Sequence, residues 1–163
     1  MEKLLLEPVQ VPWKLSSSDE IDVFRSDGGG DVELLLIADL INERSKDPEA
    51  DRYEAVNIVR LRLTFRRVQH FSLSRPRTSY FCLDPEKYAL PQIDYGNRGG
   101  FFRAWFSRQL CPDPNMFLVQ NSDIKPLLHI PEDAMSHWLL TGHDELVNVI
   151  AKSFSWTVAE YLQ

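Results

Sequence analysis

Glycine, cysteine and long apolar runs are all scarce in this chain. Of 163 residues, 7 are glycine and 2 are cysteine. The longest apolar run, Leu34 to Ala38, is five residues, whereas a membrane-crossing helix needs about 20, so no helical span is expected. Glu2 and Glu7 flank the short Leu4 to Leu6 run, which is neither a basic leader followed by a long apolar stretch nor an acid-poor transit peptide. The expectation is a cytoplasmic protein. Cys82 and Cys111 then read as reduced core thiols rather than a disulfide. The glycine triplet Gly28 to Gly30 lacks the Gly-Lys-Ser/Thr ending that holds phosphate and magnesium, and neither Gly-x-Gly-x-x-Gly nor Gly-x-Ser-x-Gly occurs. Nucleotide binding by such a loop and serine hydrolysis at a nucleophile elbow lose their sequence support.

What is present describes a folding chain. Hydrophobic residues make up 44% and charged residues 26%, close to globular averages and unlike a disordered segment. The length suits one domain over residues 1–163. The net charge of -6 conceals blocks: neutral over 1–18, -8 over 19–54, +7 over 55–110 and -5 over 111–163. Arginine dominates the basic block, at Arg60, Arg62, Arg66, Arg67, Arg75, Arg77, Arg98, Arg103 and Arg108. Such blocks either neutralise one another across the fold or give it two faces of opposite sign. A sequence pI of about 5.2 opposes a general nucleic-acid-binding role.

The clearest periodicity lies at 58–73. Val59, Leu61, Leu63 and Phe65 alternate with Arg60, Arg62, Thr64 and Arg66, the two-residue repeat of a half-buried strand. The pattern weakens at Arg67 to Gln69, which predicts a bend or bulge there, and parity carried through it puts His70 on the arginine face. Ile21 to Arg25 and Val32 to Asp39 flank the glycine triplet and read as a hairpin. Asn42 to Glu54 is charged, holds Pro48 and reads as an exposed connection. Thr78 to Leu83 suits a short strand, with loop from there to Arg98; Met116 to Val119 and Pro126 to Ile130 are further strand candidates. Phe101 to Leu110 fits a strand through Phe102, Ala104 and Phe106, and a helix through Phe102, Phe106 and Leu110; the strand is favoured. Trp138 to Thr141 and Leu146 to Ala151 read as a hairpin about Gly142, although Leu146, Ile150, Phe154 and Val158 also keep helical spacing. The fold expected is mainly β, an antiparallel sandwich or barrel with little helix, a β-rich α+β arrangement being the variant.

Few residues carry a chemical signature. His70, His129, His137 and His143 stand in no zinc spacing, so neither a metal nor a cofactor is expected. Gly142, His143 and Asp144 form a turn before they form an oriented base, and a hydrolase using His143 and Asp144 is the weakest functional class. The arginine stripe of Arg60, Arg62 and Arg66 places like charges side by side, which is unfavourable unless an anion or an acidic surface compensates. Arg98 stands between glycines ahead of Phe101, Arg103 and Trp105, a composition found at binding hot spots. These seven residues are the candidate contact set. Aromatic residues of this kind also belong in cores.

Three segments, Gly100 to Trp105 (GFFRAW), Cys111 to Pro114 (CPDP) and His137 to Asp144 (HWLLTGHD) with the following Val147 to Ala151, resemble the C-terminal half of small uncharacterised bacterial proteins. The resemblance implies a bacterial cytoplasmic β-rich protein and carries no activity. By class alone the chain is similar to acidic immunity proteins that neutralise toxins. The functional expectation is a non-enzymatic protein-interaction domain of immunity or adaptor type, with 19–54 or 95–105 as contact surface and a homo-oligomer as a further option. A small-ligand-binding sandwich is the alternative, in which Trp105, Trp138 and Trp156 line a pocket and Arg103 grips an acidic group.

Overall fold

A computed structural model describes residues 2–16, 21–25, 30–75, 83–89, 98–142 and 145–162. The chain is 48% strand and 13% helical, its sheets antiparallel and packed as a sandwich without barrel closure. The described strands are β1 Leu4–Pro8, β2 Trp13–Leu15, β3 Asp22–Arg25, β4 Val32–Ile41, β5 Val56–Arg66, β6 His70–Ser74, β7 Tyr88–Ala89, β8 Met116–Val119, β9 Ser136–Thr141, β10 Leu146–Ala151 and β11 Ser153–Tyr161. Helix α1 spans Arg98–Arg108 and α2 Ile124–Leu127, and a 3-10 turn covers Glu43–Lys46. Sheet I runs β6-β10-β9-β8-β1-β7, and sheet II runs β11-β5-β4-β2 with β3 also on β4. One pairing is parallel, β1 with the two-residue β7.

The alternation read from the sequence is the alternation that packs. Val59, Leu61, Leu63 and Phe65 of β5 and Val32, Leu34, Leu36 and Ala38 of β4 turn inward, where they meet Trp138, Leu140, Val147 and Val149 of sheet I. The expected hairpin of β3 and β4 forms in the register Val23 opposite Leu34; its turn, 26–29, lies outside the described residues. Sheet I is covered on its other face as well. Leu4, Leu6, Phe117, Val119, Leu139 and Leu146 form a second cluster there with Tyr88. A strand buried on both faces loses its polar alternation, as β10 does, which leaves the helical spacing of Leu146 and Ile150 unopposed. The hairpin reading holds: β9 and β10 pair with Leu146 opposite Thr141, and β11 follows.

The expected break after β5 is a crossing between the sheets. Arg67 adopts a left-handed conformation, φ 53°, and the chain leaves sheet II to pair with β10 in sheet I. On the opposite strand, β10 becomes β11 within two residues and changes sheet too. Gln69 N–H donates to Ile150 O (2.8 Å) and Lys152 N–H to Arg66 O (2.9 Å), so 56–74 and 146–161 form one two-stranded ribbon folded over at a shared corner. Because of that crossing, His70 is not on the arginine face. It lies opposite Ile150 in sheet I, half-buried, with Nε2 3.2 Å from Ser72 Oγ.

Two further expectations are corrected. Residues 101–110 are not a strand: α1 runs through them, because the residue that must be buried is Trp105 alone, flanked at helical spacing by Phe101, Phe102 and Phe106. The helix ends where Gln109 takes φ 58°, a left-handed stop. Pro126 to Ile130 is not a strand either. Ser122 Oγ accepts from the N–H groups of Ile124 (3.3 Å) and Lys125 (3.2 Å) and starts the single turn α2, and proline fits an early helical position, where no N–H is needed. Of the 78–83 candidate strand, 78–82 lie outside the described residues, and the loop expected up to Arg98 contains β7.

Candidate functional site

The seven sequence candidates separate into three places. On β5, Arg60, Arg62 and Arg66 share the solvent face, as their parity requires. Arg60 Nη1 lies 3.0 Å from Glu160 Oε2 on β11, and Arg66 Nη1 lies 3.7 Å from Asp31 Oδ2 just ahead of β4. Arg62 has no carboxylate in reach among the described residues. Neighbouring strands thus neutralise two of the three cations. The stripe is mostly compensated within the chain, by exposed pairs worth about 0–1 kcal/mol each.

Trp105 is an anchor. It is 1% exposed and its Nε1 donates to Pro12 O at 3.0 Å, which pins α1 to the segment carrying the chain from β1 to β2. Phe101 is half-buried beside it, at 6.0 Å between ring centroids, with Lys14 Nζ 5.6 Å from its ring. Arg98 begins α1; its side chain lies outside the description. Arg103 is exposed on α1 and lines the same open space as residues of the connection 43–54.

That connection is ordered by its own polar groups. Asn42 Oδ1 accepts from Arg44 N–H (2.9 Å), and Asn42 Nδ2 donates to Glu54 O (2.9 Å) and Asn57 Oδ1 (3.1 Å), joining the two ends of the loop. Asp51 Oδ1 accepts from the N–H groups of Tyr53 and Glu54. Gln109 Nε2, at the end of α1, donates to Ser45 Oγ at 3.0 Å. Between loop and helix lies an open groove of about 1070 Å³, its bed made by Pro48, Ala50, Phe102, Ala104 and Phe106.

The charges around the groove are unequal. Arg44 lies within reach of Asp47 (3.9 Å) and Glu54 (3.2 Å), and Lys46 within 3.4 Å of Glu43. Arg52 has no carboxylate among the described residues. Its guanidinium carbon lies 4.8 Å from the Tyr53 ring centroid and 5.5 Å from that of Phe102, and Nη2 donates to Tyr53 Oη at 2.7 Å. Aromatic faces attract a cation through their quadrupole but leave its charge uncancelled. Arg103, on the helix side of the groove, is also without a carboxylate in reach among the described residues. Tyr53 is 75% exposed, a large ring left in water beside the groove. The contact surfaces expected from the sequence, 19–54 and 95–105, contain Arg52, Tyr53 and Phe102, but the candidate set included none of them nor Phe106; a helical reading of 101–110 would have placed Phe102 and Phe106 one turn apart on one face.

Other constellations are structurally occupied. Ser122 Oγ, His137 and Asn148 Oδ1 line up as hydroxyl, imidazole and amide, at 2.8 Å on Nδ1 and 2.8 Å on Nε2. Ser122 already accepts two backbone N–H groups, so its hydroxyl proton goes to Nδ1 and the imidazole donates from Nε2 to Asn148. Ser122 and His137 are both buried, and burial holds the imidazole below its ordinary pKa. This is a saturated core network without an approach for an acyl group to Oγ. The adjacent cleft of about 400 Å³ contains Lys125, whose Nζ donates to Glu132 O (2.8 Å) and Oε1 (3.2 Å). Cys111 is buried and free, its thiol pushed up to about 12 chiefly by burial. No group of three or more metal-ligating side chains occurs among the described residues. His143 and Asp144 lie outside them. The tryptophans read as a pocket lining are packed instead: Trp138 stands edge-on to Phe65 at 5.5 Å, and Trp156 to Trp13 at 6.0 Å.

No protein-family model, no curated protein and no solved structure matches the chain.

Proposed function

We propose that this protein is a non-catalytic binding domain that captures a segment of a partner protein in the groove between α1 and the 43–54 loop, in the manner of an adaptor or immunity protein. The supporting observation is Arg52, a guanidinium held over two aromatic rings with no carboxylate of the described chain near it, beside Arg103 and an apolar bed. The partner chemistry that fits is an acidic stretch with one large apolar side chain. The carboxylates meet Arg52 and Arg103, and the apolar group rests on Phe102 and Phe106. An open groove suits a chain segment, since pockets for small ligands enclose most of their ligand's surface. Of the two contact surfaces read from the sequence, the groove uses the second half of the acidic block and the helix that follows Arg98.

Binding of a fluorescent peptide with one phenylalanine among aspartates and glutamates tests the proposal, against the same peptide with lysines in place of the acids. The acidic peptide binds and the basic one does not. Arg52→Glu with Arg103→Glu weakens binding roughly tenfold or more, because a hydrogen bond to a charged group contributes about 1.5–3 kcal/mol. Equal binding of both peptides, or indifference to the double reversal, overturns the proposal.

A further inference from the structure

Strand β11 pairs with β5 on one side, and among the described residues nothing pairs with it on the other. Leu162 N–H donates to Ile58 O (2.9 Å) and Lys152 N–H to Arg66 O (2.9 Å). Consecutive residues of an antiparallel strand direct their backbone groups to alternate sides. With Thr157 opposite Arg62 and Ser155 opposite Thr64, Ser155 and Thr157 bond toward β5, and the N–H and C=O groups of Phe154, Trp156 and Val158 point away from it. Natural edges are guarded by lysine, proline or inward-pointing charge. From Ser153 to Ala159 there is neither a charged residue nor a proline, and the core-facing Phe154, Trp156 and Val158 are only half-buried.

We infer that β11 is a self-association edge, along which a second copy of this chain pairs antiparallel about a two-fold axis at Trp156. In that register the three outward-directed residues all find partners: Trp156 faces its own copy, and Phe154 faces Val158 twice. Neighbouring registers pair fewer of them. The side chains match at the same time. Apolar Phe154, Trp156 and Val158 meet one another on the core side, and Ser155 meets Thr157 on the solvent side. Lys152, exposed and without a carboxylate in reach among the described residues, lies just beyond each end of the paired stretch, as does Glu160, whose carboxylate is held by Arg60. The irregularities at Lys152 and between Val158 and Glu160 bound the paired stretch and stop the ladder from running on. No residue of β11 lines the α1 groove, so the two surfaces are separate.

Sedimentation equilibrium of the full chain from micromolar to millimolar concentration tests the inference. The average mass rises from 18.9 kDa toward twice that value. Ser155→Lys with Thr157→Lys sets lysine against lysine in both symmetric contacts and lowers the association constant roughly tenfold, with only a slight fall in melting temperature, because both side chains are exposed and the one new like-charge pair within the chain is position 157 opposite Arg62. Ser155→Glu with Thr157→Lys sets glutamate against lysine and restores association. Residues 155 and 157 of opposite copies form a close non-hydrogen-bonded pair, within reach of a disulfide. A mixture of the Ser155→Cys and Thr157→Cys variants therefore cross-links through these positions, and neither variant does so alone. A wild-type chain that stays monomeric throughout overturns the inference and leaves the edge to a strand of another protein. Association indifferent to the lysine pair overturns it as well, by placing the contact elsewhere.

Discussion

The stripe on β5 and the wall of the α1 groove are both built around arginine, yet the fold treats their charges differently. Arg60 and Arg66 lie beside strands that bring Glu160 and Asp31 within 3.0 and 3.7 Å. Arg52 lies beside rings, and Glu43, Asp47, Asp51 and Glu54 of its own loop are taken by Lys46, by Arg44 or by backbone N–H groups. The number of arginines in a segment therefore says little about how much positive charge is left for a partner. What matters is which carboxylates the topology delivers, and the cation left without one at the groove comes from the chain's most acidic block.

That contrast can be broken most severely at Trp105. Trp105→Ala removes the pin between α1 and Pro12 and costs about 3–5 kcal/mol of stability. A lower urea midpoint should be accompanied by loss of peptide binding while β5 and its ion pairs persist. Smaller and more pointed is a comparison of single arginines. Arg52→Ala weakens the acidic peptide roughly tenfold, the loss of one charge-assisted contact, and Arg60→Ala leaves it unchanged; equal losses would show that the two regions do not differ.

Acidity separates stability from binding. His137 is held below its ordinary value of 6.5, chiefly by burial. The unfolded chain therefore takes up that proton first: the stability contributed is complete above about pH 6.5 and is lost as pH falls toward the folded value. Urea midpoints should decline in that window, and His137→Asn should flatten the decline. No histidine stands among the described residues that line the groove, so the wild-type peptide affinity of the folded protein should hold steady. The smallest effect is expected for Glu160→Gln, which frees Arg60 at a cost of no more than about 1 kcal/mol, read as a slight shift of the melting temperature.

Much of the architecture was legible because the sequence repeats its instructions. The β5 alternation, the β3 to β4 hairpin around glycines and the β9 to β10 reversal each agree with the burial that results. The errors arose where one pattern served two periods. Phe102, Ala104 and Phe106 fit a strand's parity as well as a helix's turn, and the helix won through the burial of Trp105, whose partner Pro12 is 93 residues away. At Pro126 a local cap from Ser122 decided the outcome. His70 was assigned to the wrong face because a crossing between sheets resets parity and leaves only a weakened alternation as its trace. Of the candidate site, Arg103 and the aromatic run at 101–106 were visible, although the helix that carries them was read as a strand. Arg52 was not, since its value depends on Phe102, a residue distant in sequence that supplies a ring and no charge.

The folded-over ribbon has a consequence for how the molecule assembles. Strand β10 sits inside sheet I, between β6 and β9, and β11 completes sheet II, so both layers wait on the last two strands described. Until 146–161 arrive, β6 has no strand neighbour among the described residues and β5 is paired on one side alone. Closing so large a span of chain is entropically slow. Loss of those sixteen residues would leave two unfinished half-shells with their greasy linings open to water, rather than a shortened protein.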